Sequence, residues 1–120
     1  MKKSELAYFR QSLIEWRDQL LRQADETVAV LLESKVDASD PIEQASLGTE
    51  RDFALRIRDR ESKLIRKIRS AIERIDDGTY GICEMCGEEI DVKRLRVRPV
   101  TTYCIDCKRV RETLEKLAGD

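Results

Sequence analysis

The chain predicts a mainly α fold: a long antiparallel coiled-coil helical hairpin, a small four-cysteine module and a C-terminal helix. Three features of its 120 residues carry that prediction. Apolar residues recur at helical spacing along two long stretches. Only 5 Gly and 2 Pro are available to break them. All four cysteines fall between positions 83 and 107. Charged residues make up 39% of the chain and aromatics 5%, against about 25% charged in an average domain. So little apolar material favours thin buried seams with solvated outer faces over a thick core.

The first helix is expected over residues 4–34. Leu6, Phe9, Leu13, Trp16, Leu20, Ala24, Val28 and Leu31 lie three or four apart, and the extra four-residue step near Ala24 resembles a stutter. Such a helix runs for roughly 45 Å and needs a partner along its seam. Residues 35–41 break the pattern, because a residue preceding proline avoids the helical region. The second helix then begins with Asp40 as N-cap, Pro41 in the first turn and Glu43 three residues after the cap. Its seam reads Ala54, Ile57, Leu64, Ile68, Ile72 and Ile75, with Ile65 to one side and an interruption near Arg60-Glu61. Gly48 weakens its early turns by about 1 kcal/mol relative to alanine, and Asp77-Gly78 is a stop signal. Short β-like pieces such as Leu95-Arg96-Val97 follow, and residues 105–118 turn helical again with Val110, Leu114 and Leu117 on one face. By organisation, 1–34 is the first coiled-coil helix, 35–43 an acidic tip loop and 44–78 the second coiled-coil helix. Residues 79–108 form the cysteine module and 109–120 the C-terminal helix.

Cys83-Glu84-Met85-Cys86 and Cys104-Ile105-Asp106-Cys107 form C-x2-C-x17-C-x2-C. Two residues between paired thiols let both sulfurs reach one tetrahedral ion, and the intervening segment folds back to supply the second pair. This is the spacing of a closed four-cysteine zinc finger holding one structural Zn²⁺. Two disulfides, a thioredoxin-like redox pair and an iron–sulfur cluster are the alternatives. Disulfides conflict with a reducing compartment, and a redox site needs one CxxC rather than two. Gly87 suits the tight turn after the first pair. Four thiolates on Zn²⁺ leave a double negative charge, which Lys93, Arg94 and Lys108 offset where they lie close.

Two further clusters have a bland reading beside a functional one. Asp40 and Glu43 are what a capping box uses, yet a hairpin roughly 45 Å long also presents them at its far end, where they can meet a metal or a basic group in a channel. Charge is uneven along the chain: six bases and ten acids in residues 1–50, nine and four in 51–74, eight and ten in 75–120. Helical ion pairs such as Asp59–Lys63 account for part of the basic block. Its surplus, with Lys67, Arg98 and Lys108, suggests a phosphate site near the finger. Trp16 reads as core.

Composition also excludes several classes. The net charge of −1 disfavours DNA wrapping but not a local anion site. With no histidine, Ser-His and Cys-His devices are impossible. Phosphate-binding Walker loops are absent, so the chain is not expected to be an enzyme. No apolar run approaches the roughly 20 residues of a membrane span. Met1-Lys2-Lys3-Ser4-Glu5 leads into an amphipathic segment rather than a signal core, so a cytoplasmic location is expected.

Helix, acidic loop, helix, four-cysteine finger and closing helix together resemble the DksA/TraR family of bacterial transcription regulators. The carriers are Ala7-Tyr8-Phe9-Arg10 with Trp16-Arg17, the tip Asp40-Pro41-Ile42-Glu43-Gln44-Ala45, and Arg58 to Ile65. They continue through Tyr80-Gly81-Ile82-Cys83 to Gly87, Arg94-Leu95, Arg98-Pro99 and Cys104 to Lys108. The resemblance implies a protein that binds RNA polymerase directly, without sequence-specific DNA binding, and inserts its coiled coil into the secondary channel; a monomer is expected. There it acts with the alarmone ppGpp on promoter-complex stability, repressing ribosomal RNA promoters and favouring some biosynthetic ones. It implies a polymerase-acting tip of Asp40, Glu43 and Ala45, where the family reads Asp-x-x-Asp-x-Ala. It also implies a ppGpp and polymerase interface drawing on Lys67, Arg98 and Lys108, with Arg60 as a supporting coiled-coil base. The competing readings are a Gre-like channel-binding factor, which lacks such a finger, and a zinc-finger nucleic-acid binder. The latter is poorly served by residues 108–118, where four bases face two acids.

Overall fold

The computed structural model describes residues 1–33 and 41–119, with the side chains of 27–33, 41–47 and 50 left aside. Four helices follow one another: α1 (Lys3–Glu33), α2 (Pro41–Asp77), α3 (Val92–Val97) and α4 (Ile105–Ala118). The chain divides into two compact units, Met1–Leu13 with Ser70–Asp120, and Ile14–Arg69.

In the first unit the start of α1 meets the end of α2 antiparallel. Arg10 Nε donates to Asp76 Oδ1 at 2.9 Å, and this exposed pair adds little to stability. Burial holds the unit together more strongly. Phe9, Leu13, Ala71, Ile72, Tyr80, Cys83, Ile90 and Leu95 are all under 9% exposed. The Phe9 and Tyr80 rings sit 5.7 Å apart, so the first turns of α1 cover the entrance to the cysteine module. α2 stops where Gly78 takes φ +84°, a left-handed conformation that glycine adopts without strain. The Thr79 and Tyr80 amides then turn back onto the Arg74 carbonyl at 2.9 and 3.1 Å, capping the helix end.

The second unit holds the distal parts of α1 and α2. Leu20, Ile65 and Ile68 are buried, while Trp16, Ala24, Ala54, Ile57 and Leu64 are half-buried. The seam on α2 therefore differs from expectation. Ile65, expected to one side, is 7% exposed, and its neighbour Leu64 takes the flank. Adjacent apolar residues differ by only 100° around a helix, so spacing alone does not rank them. The interruption at Glu61 is present: Glu61 Oε2 and Arg51 Nε are buried without hydrogen-bond partners among the described residues. The expected Asp59–Lys63 pair is not among the ion pairs of the described residues.

Leu95-Arg96-Val97 belongs to a helix, not to a β-like piece. Asp91 Oδ1 accepts the Lys93 amide at 2.9 Å and caps α3, a preference that outweighs the β propensity of two valines. Leu95 is fully buried while Val97 is 80% exposed, which separates two positions that a strand would put on one face. The β-structure that exists among the described residues is an isolated bridge between Ile82 and Glu89. α4 begins at Ile105 as expected, but Val110, Leu114 and Leu117 stay 50%, 55% and 71% exposed. They share a face that nothing in the described chain covers. No helix among the described residues is long and apolar enough to cross a membrane.

Candidate metal centre

The four cysteines arrive from two different kinds of backbone. Cys83 and Cys86 sit on a knuckle closed by short local bonds. The Cys83 amide donates to the Glu88 carbonyl at 2.8 Å, the Gly87 amide returns to the Cys83 carbonyl at 2.9 Å, and the Ile90 amide donates to the Gly81 carbonyl at 2.7 Å. Gly87 has φ +75°, the left-handed turn expected after the first pair. Cys104 and Cys107 come from the first turn of α4. Cys104 is its N-cap, and its Sγ accepts the Cys107 amide at 3.5 Å. One residue thus both starts a helix and offers a ligand atom.

All four Sγ atoms lie within 4.8 Å of one another. Cys86 and Cys104 are 3.8 Å apart, far beyond the roughly 2.05 Å of a disulfide bond, and all four thiols are free. Sulfurs about 2.3 Å from a central zinc form a tetrahedron with edges of roughly 3.8 Å. The donor set therefore fits a closed tetrathiolate zinc site, in which the ion is structural and leaves no coordination position for chemistry.

The electrostatics favour a cation in the same place. Burial pushes the Cys83 thiol up, but backbone amides of Cys86, Cys104 and Met85 and the Cys86 thiol together bring it down to about 6. Cys107 is pushed up instead, first by its bond with the Cys104 thiol and then by burial. The Cys83 thiolate is thus easy to form while Cys107 holds its proton through a hydrogen bond and burial, and a divalent ion among four sulfurs favours the thiolate form of each.

The other expected site residues are distributed as follows. Arg60 and Lys67 are exposed on α2 in the second unit. Arg98 and Lys108 belong to the first unit, the former exposed and the latter half-buried. Arg98 lines a cavity of about 460 Å³ with Arg94, Glu88, Glu89, Asp91 and Asp106, so it stands among carboxylates. Asp40 lies outside the described residues, and Glu43 and Ala45 are in α2 with side chains outside them. Asp91 and Tyr80 have structural tasks that spacing did not single out. Tyr80 donates its hydroxyl to the Pro99 carbonyl at 2.8 Å; the Asp that precedes Val-Lys-Arg-Leu is a readable cap signal, whereas the tyrosine bond is tertiary.

Comparison with known proteins covers both halves of the chain. Residues 5–75 match the model of the DnaK suppressor protein DksA, N-terminal domain. Residues 78–112 match the prokaryotic dksA/traR C4-type zinc finger. The RNA polymerase-binding transcription factor DksA of Escherichia coli (strain K12) is 42% identical over 120 residues, covering 99% of this chain and 80% of that one. The protein of the same name from Caulobacter vibrioides is 39% identical over 100% of this chain and 84% of its own. The solved structure of transcription factor DksA2 from Pseudomonas aeruginosa superposes with TM-score 0.91 at 33% identity, over 97% of this chain and 89% of that one. The helical part and the C4 finger thus each match the same family, and the chain belongs to the DksA/TraR family.

Proposed function

We propose that this chain is a non-enzymatic transcription regulator that binds RNA polymerase directly, inserts its coiled coil into the secondary channel and modulates promoter-complex stability together with ppGpp. The observation that carries the reading is the match of both the helical part and the C4 finger to one family whose relatives are named for polymerase binding. In this reading Asp40, Glu43 and Ala45 form the tip that acts near the polymerase active site. Lys67, Arg98 and Lys108 contact ppGpp phosphates at the polymerase interface, with Arg60 supporting the coiled coil. Guanidinium and ammonium groups are the side chains that pair with phosphate oxygens. The zinc holds the finger's shape and takes no part in chemistry. Ribosomal RNA promoters are repressed and some biosynthetic promoters are activated. The protein works as a cytoplasmic monomer without reading DNA sequence.

The test is direct binding. The zinc-loaded protein is titrated against RNA polymerase alone and against promoter DNA alone. Saturable binding to polymerase with none to DNA supports the reading. Binding to DNA without polymerase favours a nucleic-acid-binding finger and overturns it. For the alarmone contact, Lys67→Ala is expected to weaken the ppGpp response while polymerase affinity stays within about twofold, roughly 0.4 kcal/mol. Loss of polymerase binding itself would make Lys67 an interface residue.

A further inference from the structure

The knuckle that carries Cys83 and Cys86 is closed by its own backbone bonds, whereas Cys104 and Cys107 are framed by the first turn of α4, whose placement depends on the segment that leads into it. Cys104 and Cys107 are reached through the segment from Pro99 to Tyr103, which contains no helix or strand among the described residues. A ligand at the end of an irregular segment keeps its position only if something outside that segment holds it.

Arg94, in the middle of α3, does this. Its Nε donates to the Tyr103 carbonyl at 3.0 Å, and that carbonyl is on the peptide that joins Tyr103 to Cys104. Its Nη2 reaches Thr101 Oγ1 at 3.5 Å. Thr101 Oγ1 in turn donates to the same Tyr103 carbonyl at 3.3 Å and lies 3.5 Å from the Tyr103 amide. One guanidinium thus clamps both ends of a three-residue bend. The helix that carries Arg94 is itself fixed: Asp91 caps it and its own Leu95 is fully buried. The bend has one further tie, the Glu84 amide donating to the Thr102 carbonyl at 2.9 Å. The last bond ties the same bend to the first cysteine pair.

We propose that Arg94 is a positioning residue of the zinc site, setting the placement of Cys104 and Cys107 by clamping the Thr101–Tyr103 bend against α3. It touches no ligand sulfur in this account; it acts through the peptide next to Cys104. The planar fork matters because two acceptors lie side by side. An ammonium can satisfy one of them but does not present two parallel donors. The inference is independent of the polymerase reading, since it concerns how the finger holds its metal.

Outer partners that orient ligands typically change metal affinity 10- to 100-fold when removed. Full-length zinc-loaded protein is challenged with a chelator in excess, and zinc release is followed with a metal-sensitive dye. Arg94→Ala is expected to release zinc about 10-fold faster or more, and Arg94→Lys to recover only part of the difference. Arg96→Ala, an exposed neighbour on α3, is the control and should match the wild type. Cobalt loading gives a readout that loss of general stability does not move. The tetrathiolate absorption of Arg94→Ala should shift or broaden at full occupancy, because the second pair is no longer held at one geometry. Should Arg94→Ala fail to fold, Thr101→Val breaks the clamp more gently and should still speed release several-fold, on the same outer-partner scale. Wild-type release and an unchanged cobalt spectrum in Arg94→Ala, or in Thr101→Val if the first does not fold, would overturn the proposal. A lowered melting temperature alone would make Arg94 a strut of α3 and nothing more.

Discussion

Cys83 is the most enclosed of the four thiols, 1% exposed, and the one whose thiolate the knuckle amides favour. Cys83→Ser should abolish zinc binding, measured as metal per chain in reducing buffer. Metal and folding free energies are linked, on the order of 10 kcal/mol in small zinc modules. The finger should therefore unfold while most of the far-ultraviolet helical signal of α1 and α2 persists. Tyr80 supplies a second residue-scale test. Burial raises its phenol to about 12, with Arg74 opposing, so the folded state prefers the neutral ring. A raised value means that this contribution is fully present below the unfolded phenol value near 10 and is lost as pH rises through 12. Tyr80→Phe loses the bond to the Pro99 carbonyl and should be about 1 kcal/mol less stable at neutral pH. Denaturant unfolding should show that deficit shrinking between pH 10 and 12, where the wild-type phenol ionises in the unfolded chain but stays neutral in the fold. A constant deficit across that window would contradict the assignment. At this scale the cysteine ligands were legible in the sequence, because ligand spacing is a local property. The roles of Tyr80 and Arg94 were not, because both are hydrogen bonds to carbonyls set by tertiary folding.

The existence of α1 and α2 was readable from period, and the end of α2 from its glycine stop, but α2 opens at Pro41, ahead of the start at 44 in the expected domain division, because Pro41 takes the first helical position. α3 was not readable: Leu95-Arg96-Val97 alternates like a strand, and the Asp91 cap marks the helix. The seam on α2 shows the same limit at Leu64 and Ile65, where period cannot choose between neighbours. The Glu61 oxygen that is buried without a hydrogen-bond partner among the described residues belongs to this scale as well. An unsatisfied buried acceptor costs about 1–3 kcal/mol, and an apolar replacement for a buried charge is often neutral or stabilising. Glu61→Leu should therefore raise stability by about 1 kcal/mol, seen as a higher melting temperature with unchanged helix content. A lower melting temperature would mean that Glu61 is partnered in solution. By contrast Leu13→Ala, at a fully buried position, should cost about 2–5 kcal/mol.

At the scale of the whole molecule, two long helices and a finger serve one proposed purpose: to carry a few acidic side chains to a distant site. Asp40 and Glu43 read equally well as caps, and nothing in spacing separates a cap from a displayed charge. Substitution separates them. Asparagine caps about as well as aspartate but carries no charge, so Asp40→Asn isolates the electrostatic role. Glu43→Asp restores the tip pattern that the family resemblance implies and should preserve or raise activity. The most direct measurement is multiple-round run-off transcription from a ribosomal RNA promoter with purified RNA polymerase, with and without ppGpp, comparing wild type with Asp40→Asn at equal polymerase occupancy. The account predicts strong repression by the wild type, deepened by ppGpp. It also predicts loss of most of that repression in Asp40→Asn, with polymerase affinity and helix content unchanged. Full repression by Asp40→Asn would leave the tip as a helix cap and contradict the mechanism; absence of any effect by the wild type would contradict the function itself.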